Sequence, residues 1–193
     1  MNDERAAYAA SLLASSREHD ERESDRLDRF RNLEPETASL LAVLVRAKRE
    51  PRVLEVGTSN GYSTIWLADA VEAVGGELVS VEIDPARSAQ AREHLDRLGL
   101  RADLRTEDAA ETLQQSPDAH WDLIFLDAER PAYAGYWPDC LRSLRASGVV
   151  AIDNVLSHED QVVEVTALIE AEPRVETTLL AIGAGLRLAV KAS

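Results

Sequence analysis

From Pro51 onward the chain repeats one pattern: a short β-branched run, a loop, then an amphipathic helical stretch. "RVLEV" (52–56) leads through glycines into "YSTIWLADAVEAV". "GELVSVEI" (76–83) follows, with Asp84 and Pro85 as N-cap and first helical residue of "ARSAQAREHLDRLG". "ADLRT" (102–106), "WDLIFLD" (121–127) and "GVVAIDN" (148–154) supply three more strands. Ser157 and Asp160 read as a capping box before "HEDQVVEVTALIEA". The final "VETTLLAIGAGLRLAVKA" is two alternating runs around Gly183 and Gly185, the pattern of a β-hairpin. Strands alternating with helices dictate an α/β fold: a mostly parallel sheet, helices on both faces, and a C-terminal antiparallel strand.

The first 50 or so residues read differently. They are helical throughout, with "SDRLDRFRNLEPETASLLAVLVRAK" carrying an apolar stripe between charged faces and Pro35 opening a fresh helix. This divides the chain into an N-terminal helical segment, 1–34, serving as a lid or a dimer contact, and a sheet-bearing domain, 35–193.

In a sheet of this kind ligands bind at the carboxyl ends of the strands, where strand order reverses. Those ends are expected to carry Glu55, Glu82, Asp127, Asp153 and Asn154. Helix caps and turns account for one or two such polar residues but poorly for the whole set. The formal net charge of −14 opposes a nucleic-acid backbone, since such binding rests on clustered Lys and Arg. No apolar run approaches the ~20 residues of a membrane span. The N-terminus has no apolar signal core, and Cys140 stands alone, so a reducing cytoplasm is expected.

The loop "EVGTSNGYS" (55–63) admits three uses beyond a plain glycine turn. A dinucleotide loop is disfavoured, because the spacing is not G-x-G-x-x-G and Glu55 is a poor neighbour for a pyrophosphate. S-adenosylmethionine suits it better: an acid at the strand tip matches a sulfonium and an ammonium, and free helix-start N–H groups match its carboxylate. Glu82, ending the second strand, stands where an acid accepts hydrogen bonds from both ribose hydroxyls. The third use is a nucleophile elbow, since "GTSNG" fits G-x-S-x-G around Ser59, with His94, His120 and His158 downstream. Against it, the motif follows the first strand and no glycine-rich oxyanion loop precedes it.

"VLEVGTSNGYSTIWLA", "SVEIDP", "IFLDAERPAYAGYW" and "GVVAIDNVLSH" occur in this order with suitable gaps. Together they resemble the cation-dependent, class I S-adenosylmethionine O-methyltransferases of the catechol and caffeoyl-CoA type, from about residue 35 to the C-terminus. The resemblance implies a Rossmann-like sheet of seven strands ending in an antiparallel hairpin strand. It implies that Glu55, Gly57, Ser59 and Ser63 line the methionine end of the cofactor. Glu82 would hold the ribose with Ile83 against the adenine, and Asp108 and Ala109 would face the adenine edge. Glu107 stands where similar enzymes often have glycine. Asp127, Asp153 and Asn154 match the metal ligands, and two carboxylates with one amide oxygen form a hard set suited to Mg²⁺, Ca²⁺ or Mn²⁺. The acceptor implied is a small catechol-like or other hydroxylated metabolite. A hydroxylated tRNA uridine is the second possibility, and a cofactor-binding protein without methyl transfer the third. Homodimers are common among similar enzymes, so one is expected.

Asp127 and Arg130 are the candidate catalytic residues, and Arg130 departs from the pattern. Similar enzymes usually carry a lysine there as general base, whereas a guanidinium keeps its proton. Water can instead take the proton while Arg130 stabilises the oxyanion. His158 can serve as base, or Arg130 can pair with an acidic substrate group. The plain alternatives are an ion pair between Arg130 and Glu129 and a solvated helix-start His158. Tyr133, Tyr136 and Trp137 either border the acceptor pocket or pack in the core.

Overall fold

The computed structural model describes residues 1–192. The first five strands are β1 Arg52–Val56, β2 Glu77–Glu82, β3 Asp103–Thr106, β4 Trp121–Leu126 and β5 Leu144–Ile152, and the last two are β6 Val175–Leu180 and β7 Leu186–Lys191. They form one seven-stranded sheet in the order β3-β2-β1-β4-β5-β7-β6. All pairings among β1 to β5 are parallel, and β7 runs antiparallel between β5 and β6. The expected Rossmann-like sheet with its C-terminal hairpin strand is therefore present.

The strands carry apolar residues on both faces because helices cover both. Val53, Leu123, Phe125 and Ala151 meet α1 (Asp3–Arg22), α2 (Pro35–Arg46), α3 (Tyr62–Val74) and α4 (Pro85–Arg97). Leu54, Ile124, Val150 and Ile152 meet α5 (Ala109–Gln115), α6 (Tyr133–Ser143) and α7 (Glu159–Glu170). Ala9 and Leu13 of α1 and Leu33 are buried in the first of these clusters, so residues 1–34 share the core of the domain. Among the described residues no helix is long and apolar enough to cross a membrane.

Local signals set several helix starts. Pro35 opens α2, and the Asp84 carboxylate accepts from the Ala86 and Arg87 amides to open α4. Three expectations fail. Residues 23–34 are not helical. Asp20 takes the Phe30 and Arg31 amides at 2.7 and 2.8 Å, Arg29 donates twice to the Glu23 carbonyl, and Leu27 points outward, 58% exposed. The apolar residues read there as one stripe part company: Leu27 faces outward while Leu33 enters the core. Ser157 and Asp160 do not form a capping box: α7 starts at Glu159, and the Ser157 hydroxyl bonds His158 Nδ1 at 2.8 Å. β5 begins at Leu144 rather than Gly148, because its pairing with β4 skips from Leu144 to Val149 across an irregularity.

Sheet order reverses between β1 and β4, and register fixes what meets there. Val56 pairs with Leu126, and Leu126 with Ile152. The next residues are Gly57, Asp127 and Asp153. Backbone bonds extend the ladder one step further: Asp127 N–H to the Val56 carbonyl (2.9 Å) and Asp153 N–H to the Leu126 carbonyl (3.2 Å). Three adjacent strands thus deliver these residues to one level at the carboxyl edge.

Candidate active site

A cavity of about 480 Å³ opens at that edge, walled by the loops after β1, β2, β3, β4 and β5 and by residues 27 and 30–33. Of the expected cofactor residues, Gly57, Ser59, Ser63, Glu82, Ile83, Asp108 and Ala109 line it. A shallower groove of about 610 Å³, near the start of β2 and β4, contains none of the cofactor-binding, metal-binding or catalytic candidates, only His120 of the three histidines weighed for a triad.

The glycine loop owes its shape to close approach. Gly57 has φ +102°, and a Cβ there would lie 2.2 Å from the Asp127 carbonyl oxygen. Ser59 is also left-handed (φ +49°). Its amide donates to the Glu82 carboxylate at 2.7 Å, and the other Glu82 oxygen accepts from the Asp84 amide at 3.0 Å. Glu82 therefore braces the first loop against the second while bordering the cavity. Ile83, 72% exposed, presents apolar surface beside it. Asp108 caps α5 through the Ala110 amide, and Glu107 accepts from the Thr112 hydroxyl.

Glu55 does not line the cavity. It is fully buried beneath the loop, where Ser63, Thr64 and Ser80 each donate a hydroxyl to it at 2.6 Å. Its influence on a ligand therefore runs through Ser63 and through charge. Burial pushes its carboxyl up to about 7, against the pull of the three hydroxyls, and the nearby Asp127 adds to the rise.

Ser59 does not form an elbow. Its hydroxyl donates to the Phe30 carbonyl at 3.2 Å, and among the described residues no imidazole bonds it. His94 bonds the Tyr8 hydroxyl at 2.6 Å, and His120 packs edge-on against Trp121. The Ser-His arrangement is not assembled.

Asp127, Asp153 and Asn154 converge. The Asn154 amide nitrogen donates to Asp127 Oδ1 at 3.2 Å and to Asp153 Oδ2 at 2.8 Å, so both carboxylates reach one point. Asn154 has φ +65°, a conformation asparagine tolerates better than most residues. Asp153 is 4% exposed, and its Oδ1 is buried without a hydrogen-bond partner. Both carboxyls are pushed up, first by burial, with the charge of Asp127 adding to the rise at Asp153. Among the described residues no three His, Cys, Asp or Glu side chains group to hold a metal. The set here is two carboxylates and an amide, and it fits a hard cation in two respects. A cation would give the orphaned Asp153 oxygen a partner, and it would relieve the repulsion between the acids. The amide would have to turn its oxygen inward.

These shifts have a consequence for stability. A carboxyl raised on folding favours the folded state while protonated and loses that contribution as it ionises. For Glu55 the loss runs from 4.5 to about 7, and Asp127 and Asp153 act in the same direction. With chelator present, Tm is expected to fall by several degrees across this window, at about 2–4 °C per kcal/mol for a chain of this size. Adding Mg²⁺ should raise Tm more at pH 8 than at pH 5, because protonated carboxyls cannot ligate. Scanning calorimetry at both pH values checks this; an equal rise at both would count against the set.

Arg130 is 4% exposed and not on the surface. Its Nε donates to Gln161 at 2.9 Å, and Glu129 pairs instead with Arg26 (3.0 Å) and Arg31 (3.2 Å). The Arg130–Glu129 ion pair is therefore absent. Tyr133, fully buried, clamps the turn before Arg130 by bonding both the N–H and the carbonyl of Ala128. Trp137 is also core, and Tyr136 alone of the three aromatics lines the cavity. His158 borders the cavity too, and burial followed by the charge of Arg130 holds its imidazole below the usual range.

The sequence pattern did not reveal Arg31. It lines the cavity in a left-handed conformation (φ +53°), and its charge acts on Asp127 more strongly than that of Arg130. No sequence signal marked it, because Leu27, Phe30 and Leu33 keep a helix-like spacing through the stretch.

The fold has known counterparts. The O-methyltransferase family model matches residues 3–192. A catechol O-methyltransferase of Niastella koreensis is 35% identical over 130 residues, covering 65% of this chain and 58% of that protein. A catechol O-methyltransferase of Mycobacterium tuberculosis is 33% identical over 152 residues, covering 78% and 65%. The matched regions thus span less than two thirds of the length of these two relatives. The O-methyltransferase of Bacillus cereus in complex with SAH superposes with a TM-score of 0.81 at 28% identity, covering 96% of this chain and 90% of that one. The matched residues include the sheet, the loops that wall the cavity and the helices on both faces, and the chain belongs to the O-methyltransferase family.

Proposed function

We propose that this chain moves the methyl group of S-adenosylmethionine to a hydroxyl of a small catechol-like or other hydroxylated metabolite, with a divalent cation held by Asp127, Asp153 and Asn154. Mg²⁺ is the first choice, with Ca²⁺ and Mn²⁺ as alternatives. One observation carries the reading: two carboxylates, Asp153 buried and Asp127 half-buried, meet at a single amide beside the Gly57 loop, at the reversal of strand order. The catechol activity named for two relatives and the SAH bound to the Bacillus cereus enzyme support it.

When bound, the cation would polarise the acceptor hydroxyl and lower its pKa. The remaining work falls to the chain. Gly57, Ser59 and Ser63 would receive the methionine end of the cofactor, and Glu82 its ribose. Ile83, Asp108 and Ala109 would border the adenine. The cofactor would supply an electrophilic methyl group to the acceptor oxygen, with S-adenosylhomocysteine as the leaving group, and these residues would hold the two in line. Arg130 cannot remove the hydroxyl proton, so water takes it while the guanidinium stabilises the oxyanion. Residues 23–34 act as a lid: Arg87 holds the Leu27 and Arg29 carbonyls, and the segment walls the cavity from above. A cytoplasmic homodimer remains the expected state, and the buried, unpaired thiol of Cys140 agrees with a reducing compartment.

The test is methyl transfer from S-adenosylmethionine to a panel of catechols, with Mg²⁺ and with chelator. Transfer should fall at least about a hundredfold when the cation is removed. Tight calorimetric binding of S-adenosylhomocysteine without transfer to any diol would mark a binding protein instead.

A further inference from the structure

We infer that the acceptor carries a carboxylate beside its hydroxyls, received between Arg31 and Arg130. The inference deepens the methyl-transfer reading and rests on it. Arg130 is a buried guanidinium for which, among the described residues, no carboxylate lies within salt-bridge distance. One of its five N–H donors is used, by Gln161, and the residue walls the cavity. A buried guanidinium with most of its N–H donors unpaired is costly, and a ligand anion would pair them.

Arg31 faces the same cavity from the lid segment. Asp20 holds its backbone in place, Glu129 holds one Nη, and its Nε is buried without a partner. The neighbouring Asn32 Nδ2 is also buried and unpartnered, and Asn32 lines the cavity as well. The unused donors of Arg31, Asn32 and Arg130 thus belong to residues lining the same cavity, in a protein whose net charge is −14.

Planar guanidinium forks match carboxylate geometry better than they match a neutral ring substituent.

The experiment compares 3,4-dihydroxybenzoate with its neutral counterpart, 3,4-dihydroxybenzyl alcohol. Both kcat/KM and calorimetric Kd are measured on protein loaded with S-adenosylhomocysteine or S-adenosylmethionine as appropriate. The acid should be favoured at least about tenfold, as a charged hydrogen bond contributes. In Arg31→Met and Arg130→Met the ratio should fall toward unity, and Arg130→Lys should keep part of it. Equal kcat/KM and equal affinity for acid and alcohol would overturn the inference while leaving methyl transfer standing. Arginine-dependent binding of the acid without its methylation would uphold the anion site and overturn the transfer reading. The wild-type ratio needs no variant, so a misfolded variant does not spoil the test.

Discussion

Asp153→Ala is expected to cut cation-supported methyl transfer about a thousandfold, the several kcal/mol a bound cation supplies to the reacting oxygen. S-adenosylhomocysteine affinity should stay nearly intact. The separation follows from position. Asp153 ends β5, on the far side of Asp127 from the cofactor loops, and Asn154 Nδ2 alone among the described residues hydrogen-bonds its carboxylate. It is also a buried acid with one oxygen orphaned, so its removal is expected to leave the chain folded. With chelator present, the variant should melt at or above the wild-type temperature at pH 8, because an ionised and poorly satisfied carboxylate has gone. It should also lose the Tm rise that Mg²⁺ gives the wild type. Isothermal calorimetry with S-adenosylhomocysteine and melting curves with and without Mg²⁺ give the three readouts. A large loss of cofactor binding would remove Asp153 from the ligand set and make it a brace of the cofactor loop.

The sites of Asp127 and Asp153 could be read from sequence because both follow runs of apolar residues that can only be central strands. A parallel sheet aligns strand ends, so naming the strands nearly names the edge. Pro35 and the Asp84–Pro85 pair were equally legible, since a cap acts within one turn. What escaped is built by distant groups. Glu55 looked like a cavity acid, yet Ser80, on the next strand, helps close a cage of hydroxyls around it. The 23–34 segment carries helix-compatible charge alternation, but Asp20 and Arg87 occupy its backbone groups from outside. Arg31 enters the cleft only because that segment is pinned open, and no local pattern encodes it. Arg130 was visible as an oddity, but its burial against Gln161 of α7 was not.

Gly57→Ala is expected to be the most damaging single-atom change in the chain. Two independent costs fall on it. At φ +102° an alanine sits outside the left-handed well that non-glycine residues can reach. Its Cβ would also meet the Asp127 carbonyl oxygen at 2.2 Å and the carbonyl carbon at 2.8 Å. Neither atom can swing aside, because the Asp127 amide is tied to the Val56 carbonyl in the β1–β4 ladder. Relief requires parting the two strand tips at the switch point. A loss of about 3 kcal/mol or more follows, or about 6–12 °C in Tm. Cofactor affinity and transfer should fall together, because the same displacement moves the loop and Asp127. Gly99→Ala is the control: φ is +63° and no atom lies within 4 Å of its Cβ, so only the left-handed penalty of about 1–2 kcal/mol applies. Urea denaturation of both variants separates the terms. Were Gly57→Ala to cost no more than Gly99→Ala, the contact between the first loop and the Asp127 backbone would be soft. The rigid placement of the two acids beside the cofactor loop would then have lost its mechanical basis.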